Sequence, residues 1–135
     1  VMMQPHLLKR VGDEPPSTHT GRRVLKTQTA ATMRSMFTGV VENDRGTGHK
    51  AGIKGYRVAG KTGTANVAEN GSYAENKYIA SFVGFVPANN PRLVTLVVVN
   101  KPQNGYYGGD VAAPAFEEIT EFALGYLNIP PDGLT

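Results

Sequence analysis

At 135 residues, with 40% hydrophobic and 19% charged side chains, the chain has the composition of one globular piece able to bury a core. Its net charge of +3 is mild and spread along the sequence, which argues against a nucleic-acid surface. It has no cysteine, which excludes disulfides, thiolate chemistry and cysteine-based zinc sites; no apolar run approaches the ~20 residues of a membrane helix, and no signal-peptide pattern is visible.

The opening Val1-Met2-Met3-Gln4 reads as the middle of something rather than a natural start. Residues 1 to 11 suggest a short strand around Leu7, Leu8 and Val11, and Gly12 to Gly21, with Pro15-Pro16, suggests an exposed loop. From about Thr27 to Glu42 the pattern turns helical: Ala30, Met33, Phe37, Val40 and Val41 recur at spacings of three and four. Thr27 or Thr29 is the expected N-cap, and the methionines read as core. Asn43-Asp44-Arg45-Gly46-Thr47-Gly48 ends the helix.

The stretch Gly55-Tyr56-Arg57-Val58-Ala59-Gly60-Lys61-Thr62-Gly63-Thr64-Ala65 carries the chemistry. Gly55 to Thr62 fits the phosphate-loop pattern G-x-x-x-x-G-K-[ST]. Such a loop needs a buried strand before its first glycine and a helix opening at its lysine, so that N–H groups face the phosphates. Neither flank obliges. Gly48 to Lys54 is polar and broken by glycine, and the residues after Thr62 are poor helix formers that run into Asn70-Gly71. Lys61-Thr62-Gly63 also fits a K-T-G element that lies on a strand. Tyr56 to Ala65 supplies that strand: residues 56, 58, 62 and 64 share one side at period two, and Lys61 and Gly63 fall on the other. Gly60 and Gly63 mark places where something can approach the backbone closely.

Beyond it, Ala68 to Asn76 reads as a polar loop with Asn70-Gly71 at its tip. Lys77 to Pro87 and Arg92 to Asn100 read as strands joined by the Ala88-Asn89-Asn90-Pro91 turn. Leu93 to Val99 is apolar at nearly every position, which points to a central strand covered on both faces. In Asn104-Gly105-Tyr106-Tyr107-Gly108-Gly109 at least one tyrosine must face a cleft or solvent. Asp110 is the expected cap of a long helix. Its buried face would be Ala115, Phe116, Ile119, Phe122, Ala123, Tyr126 and Leu127, its wet face Glu117, Glu118 and Glu121, and its stop Pro130-Pro131-Asp132-Gly133.

Taken together, Gly55 to Ala65, Tyr78 to Pro87, Asn90 to Leu93, Gly105 to Gly109, Ala113-Pro114 and Ile129 to Asp132 resemble the C-terminal part of the transpeptidase domain of class B penicillin-binding proteins, most like the cell-division type. The resemblance covers essentially all of residues 1–135 as one segment of that domain. It implies an α+β fold of the β-lactamase/transpeptidase type, an antiparallel sheet with helices on both faces. It also implies acyl transfer from the D-Ala-D-Ala end of peptidoglycan stem peptides, acylation by β-lactams, no cofactor and no metal. Residue by residue, Lys61 would place its charge near the serine of an S-x-N motif and the substrate carboxylate. Thr62 and Thr64 would hydrogen-bond that carboxylate, with Gly63 between them. The Thr64 backbone N–H would be an oxyanion donor, and Tyr106 and Tyr107 would form an aromatic wall over the acyl group.

The sequence departs from the family pattern in one large respect. Ser17, Ser35, Ser72 and Ser81 are followed three places on by Thr20, Thr38, Glu75 and Gly84, so there is no S-x-x-K, and there is no S-x-N. His6, His19 and His49 have no obvious serine partner. The resemblance therefore implies a second polypeptide or upstream segment bearing the nucleophile, a membrane anchor in that segment, an extracytoplasmic site and cell-division proteins as partners. The alternatives are the phosphate loop of Gly55 to Thr62 and a non-catalytic module that binds cell-wall peptide.

Overall fold

The computed structural model describes residues 1, 2, 12, 13 and 21–132, in two units, 1–33 and 34–135. The expected strand at Leu7, Leu8 and Val11, the Pro15-Pro16 loop, Ser17, His6, His19 and Gly133 lie outside the described residues. In the first unit Met2 and Arg22 form an antiparallel bridge, exchanging N–H···O bonds of 2.8 and 2.9 Å. Helix α1 (Thr27–Glu42) begins there. The Lys26 carbonyl accepts the Ala30 N–H at 3.0 Å, so Lys26 holds the cap position expected of Thr27 or Thr29.

In the second unit, Thr38 and Val41 are the buried residues of α1, whereas Met36, and in the first unit Met33, are exposed. The methionines are thus not core: the buried stripe needs only one residue per turn, and Thr38 satisfies its hydroxyl on the Arg34 carbonyl at 2.9 Å. After a 3-10 turn at His49–Ala51 come three antiparallel strands in the order β1 (Ala59–Glu69), β2 (Ser72–Val86), β3 (Leu93–Asn100), then the short α2 (Gly108–Val111) and α3 (Ala113–Tyr126).

Strand β1 starts three residues later than the pattern predicts. The Arg57 N–H goes to the Asp132 carboxylate at 2.9 Å and the Tyr56 hydroxyl to the Ile129 carbonyl at 2.6 Å, so this stretch is tied to the C-terminal segment rather than to β2. At its other end β1 runs on to Glu69. Asn70 and Gly71, with φ of 51° and 79°, make the two-residue turn of a tight hairpin where a loop was expected. The arms of this extension are polar because they reach past the core. Glu69 joins them by accepting from Lys77 at 2.7 Å and Lys101 at 3.2 Å.

One sheet face carries the core. Phe82 on β2 meets Phe116 on α3 edge-on, with ring centroids 4.8 Å apart, and both are fully buried. Gly84 permits this approach, since a Cβ there would stand 2.7 Å from the Phe116 ring. Each such aromatic contributes about 1.5–3 kcal/mol by burial. Thr120, also buried, donates to the Thr95 hydroxyl at 3.1 Å and ties α3 to β3.

Among the described residues strand β3 is the outer strand and is covered on one face: Val94, Leu96 and Val98 are 73%, 62% and 55% exposed, because the described helices of this unit pack against the other face, so the second cover that the apolar run calls for is not supplied by the described residues. Helix α3 is rotated from the predicted orientation. Its buried stripe is Ala113, Phe116, Thr120 and Leu124, while Ile119, Phe122, Tyr126 and Leu127 are exposed. Helical periodicity fits either stripe; the one that turns inward carries Phe116, seated against Phe82 over Gly84, and Thr120, bonded to Thr95. Asp110 is not its cap either: Ala112 holds that place, and Asp110 sits inside α2. The helix ends at Tyr126, before the prolines, where Asn128 at φ 51° turns the chain and Ile129 N–H reaches the Leu124 carbonyl at 3.0 Å.

Candidate active site

Strand β1 lies at the sheet edge and carries Lys61-Thr62-Gly63-Thr64. Its pairing with β2 places Lys61 opposite Val83, Thr62 opposite Phe82, Gly63 opposite Ser81 and Thr64 opposite Ala80. Thr62 and Thr64 therefore share the face that meets α2 and α3, and Lys61 and Gly63 share the bare face with Val83, Leu96 and Val98. Residues after Thr62 continue the strand, so the helix a phosphate loop requires is absent.

A cleft of about 280 Å³ is lined by Gly46, Thr47, His49, Thr62, Thr64 and Tyr107 together with Gly108, Gly109 and Asp110. Two glycines let its walls close. A Cβ on Gly108 would collide with the Ser81 and Gly63 backbone, and one on Gly109 with the Thr47 carbonyl. The Gly108 N–H donates to the Thr64 hydroxyl oxygen at 3.2 Å, which leaves the Thr64 hydroxyl hydrogen for another acceptor. Thr47 and Thr62 hydroxyls lie 3.0 Å apart; one hydrogen bridges them and the second is available to the cleft. The cleft thus offers two hydroxyl hydrogens, as many as a carboxylate has oxygens. The Lys61 ammonium donates to the Thr62 carbonyl at 2.8 Å and stands within 3.4 Å of the Thr62 hydroxyl.

Both predicted tyrosines are exposed, and only Tyr107 lines the cleft. The Tyr106 hydroxyl donates to Tyr107 at 3.0 Å, a bond that raises the Tyr106 pKa above the ordinary phenol value. Tyr106 also stacks on Tyr78, centroids 4.4 Å apart, so three rings form one wall. Sequence reading missed Thr47, His49 and Tyr78. Gly46-Thr47-Gly48 was a usable signal, a hydroxyl between residues that permit close approach; Tyr78 had none, being one strand residue among many. His49 donates its Nδ1–H to the Gly46 carbonyl oxygen at 3.1 Å.

An antiparallel sheet backed by helices is the fold that this unit shares with solved penicillin-binding protein transpeptidase domains. The chain belongs to the penicillin binding protein transpeptidase domain family, whose model matches residues 1–121. It is 48% identical over 117 residues to the peptidoglycan D,D-transpeptidase FtsI of Escherichia coli, a match covering 85% of this chain and 20% of that protein. It is 45% identical over 112 residues to the probable peptidoglycan D,D-transpeptidase PenA of Neisseria meningitidis, covering 82% and 19%. Among solved structures it resembles the apo transpeptidase domain of Burkholderia pseudomallei penicillin-binding protein 3, with TM-score 0.77 and 41% identity over 93% of this chain and 37% of that one. A Mycobacterium penicillin-binding protein 3 complexed with ampicillin gives TM-score 0.74 and 35% identity, over 91% and 29%. The chain thus spans about a fifth of the length of these two curated relatives.

Proposed function

We propose that residues 1–135 form one wall of a serine D,D-transpeptidase that cross-links peptidoglycan stem peptides and is acylated by β-lactams. The observation that carries the reading is the pair of free hydroxyl hydrogens, from Thr64 and from the Thr47–Thr62 pair, beside the Lys61 ammonium. They suit the terminal carboxylate of a D-Ala-D-Ala peptide, each charge-assisted bond contributing about 1.5–3 kcal/mol. Tyr107, backed by Tyr106 and Tyr78, would cover the acyl group. Because β1 is an edge strand, alternate N–H groups along it face away from β2, and the Thr64 N–H would be one donor to the oxyanion.

The nucleophilic serine comes from an upstream segment or a second polypeptide. Its oxygen attacks the penultimate carbonyl, the C–N bond to the terminal D-alanine breaks, and that amine leaves with a proton; an acceptor amine then displaces the serine oxygen. The exposed Val94, Leu96 and Val98 on the Lys61 side of the sheet are where the missing part of the domain would pack. No helix among the described residues is long and apolar enough to cross a membrane. Anchoring would belong to the upstream segment, with the site on the extracytoplasmic side and cell-division proteins as partners.

The test is turnover of a D-Ala-D-Ala peptide by the complete protein and by its Lys61→Met variant. Release of D-alanine with transfer to an amine, reduced at least ~10²-fold in the variant, is expected for lost charge stabilisation at the reacting centre. No release by the wild type would overturn the reading.

A further inference from the structure

Asp110 presents a carboxylate to a cleft whose other groups suit an anion. Its own position is fixed. Gly108 and Gly109 bring α2 against β1 and Thr47, and the Asp110 N–H is held by the Tyr107 carbonyl at 2.9 Å. On the opposite rim, the 3-10 turn His49–Ala51 presents Lys50, whose ammonium meets the Asp110 carboxylate at 2.9 Å. Asp110 lines the cleft and Lys50 does not. Both side chains are about half exposed, 45% for Lys50 and 53% for Asp110, so the pair adds little to stability.

We infer that Lys50 and Asp110 are a specificity pair: Lys50 neutralises the one acidic group in the cleft lining and thereby lets an anionic ligand enter. The inference rests on the proposed reading of the cleft as a carboxylate seat. An unneutralised Asp110 would repel a carboxylate held by Thr62 and Thr64, and an unneutralised Lys50 would attract it. A merely structural latch between the two rims has a different signature, because losing either partner would then do the same harm. The same ion pair therefore predicts effects of opposite sign for its two members.

The experiment uses the complete transpeptidase and the variants Lys50→Met, Asp110→Asn and the double variant. It measures second-order acylation by benzylpenicillin and by its neutral methyl ester at low and high salt. Lys50→Met should slow acylation by the acid roughly two- to fivefold and Asp110→Asn should speed it by a similar factor, the scale of a single exposed charge. The double variant should return near the wild type, the ester should be indifferent to all three changes, and 0.5 M salt should shrink every difference. Losses of the same sign in both single variants, or equal effects on acid and ester, would overturn the specificity pair. If the wild type were acylated as fast by the ester as by the acid, the carboxylate seat itself would fall, and the pair with it.

Discussion

The Gly108 N–H and the Thr64 hydroxyl are joined at 3.2 Å, and only glycine fits at 108 because a Cβ would strike the Ser81 and Gly63 backbone. One contact therefore sets the distance between α2 and β1 and leaves the Thr64 hydroxyl hydrogen to donate elsewhere. Gly108→Ala should cost about 1–3 kcal/mol or more as overpacking. Gly39→Ala is the control: Gly39 lies in the last turn of α1 with nothing within 4 Å of its absent Cβ, and alanine there should add up to about 0.5–1 kcal/mol. Thermal unfolding of the two variants should move in opposite directions.

Thr62→Val together with Thr64→Val removes both hydroxyls of β1 from the cleft. If additive, two charge-assisted bonds amount to roughly 3–6 kcal/mol, and the measured loss should be smaller because Thr47 keeps a hydroxyl beside the site. Acylation rates by carboxylate-bearing β-lactams should fall accordingly. Unchanged rates would remove these hydroxyls from recognition.

Phe116→Ala should destabilise by about 3–5 kcal/mol, since it empties the contact with Phe82 beneath Gly84. Thr120→Val should cost about 1 kcal/mol through the lost bond to Thr95. Phe122→Ala, on the exposed stripe of the same helix, should change the stability of this chain far less. Equal losses at 116 and 122 in denaturant titrations would contradict the observed rotation of α3.

Hydrogen bonds from Lys77 and Lys101 hold the Glu69 carboxyl below its ordinary pKa. A depressed folded-state value contributes stability above the unfolded carboxylate pKa, and that contribution is lost as pH falls through the folded value. Glu69→Gln should therefore melt below the wild type at pH 7, with the gap closing in acid. A gap independent of pH would mean that Glu69 acts by packing alone.

The site was more legible in the sequence than the packing around it. Period-two alternation put Thr62 and Thr64 on one face and Lys61 on the other, and the strand pairing has them so. Helix α1 has the predicted bounds. What misled was partnership between distant residues. Asp110 looked like a cap but bonds Lys50, sixty positions away. The two apolar stripes of α3 are equivalent to a helical wheel and differ only in what they meet. Asn70-Gly71 reads as a loop tip because the strands flanking it are polar, and strands that leave the core lose the alternation by which strands are recognised.

If this chain supplies one wall of the site, the nucleophile comes from elsewhere. The most direct measurement is mass-spectrometric mapping of the covalent adduct after the complete protein reacts with a labelled penicillin. A single adduct is expected on a serine outside residues 1–135, followed three positions on by lysine, and no adduct when this chain is treated alone. An adduct on Ser35, Ser72, Ser81 or any other residue of this chain would contradict it.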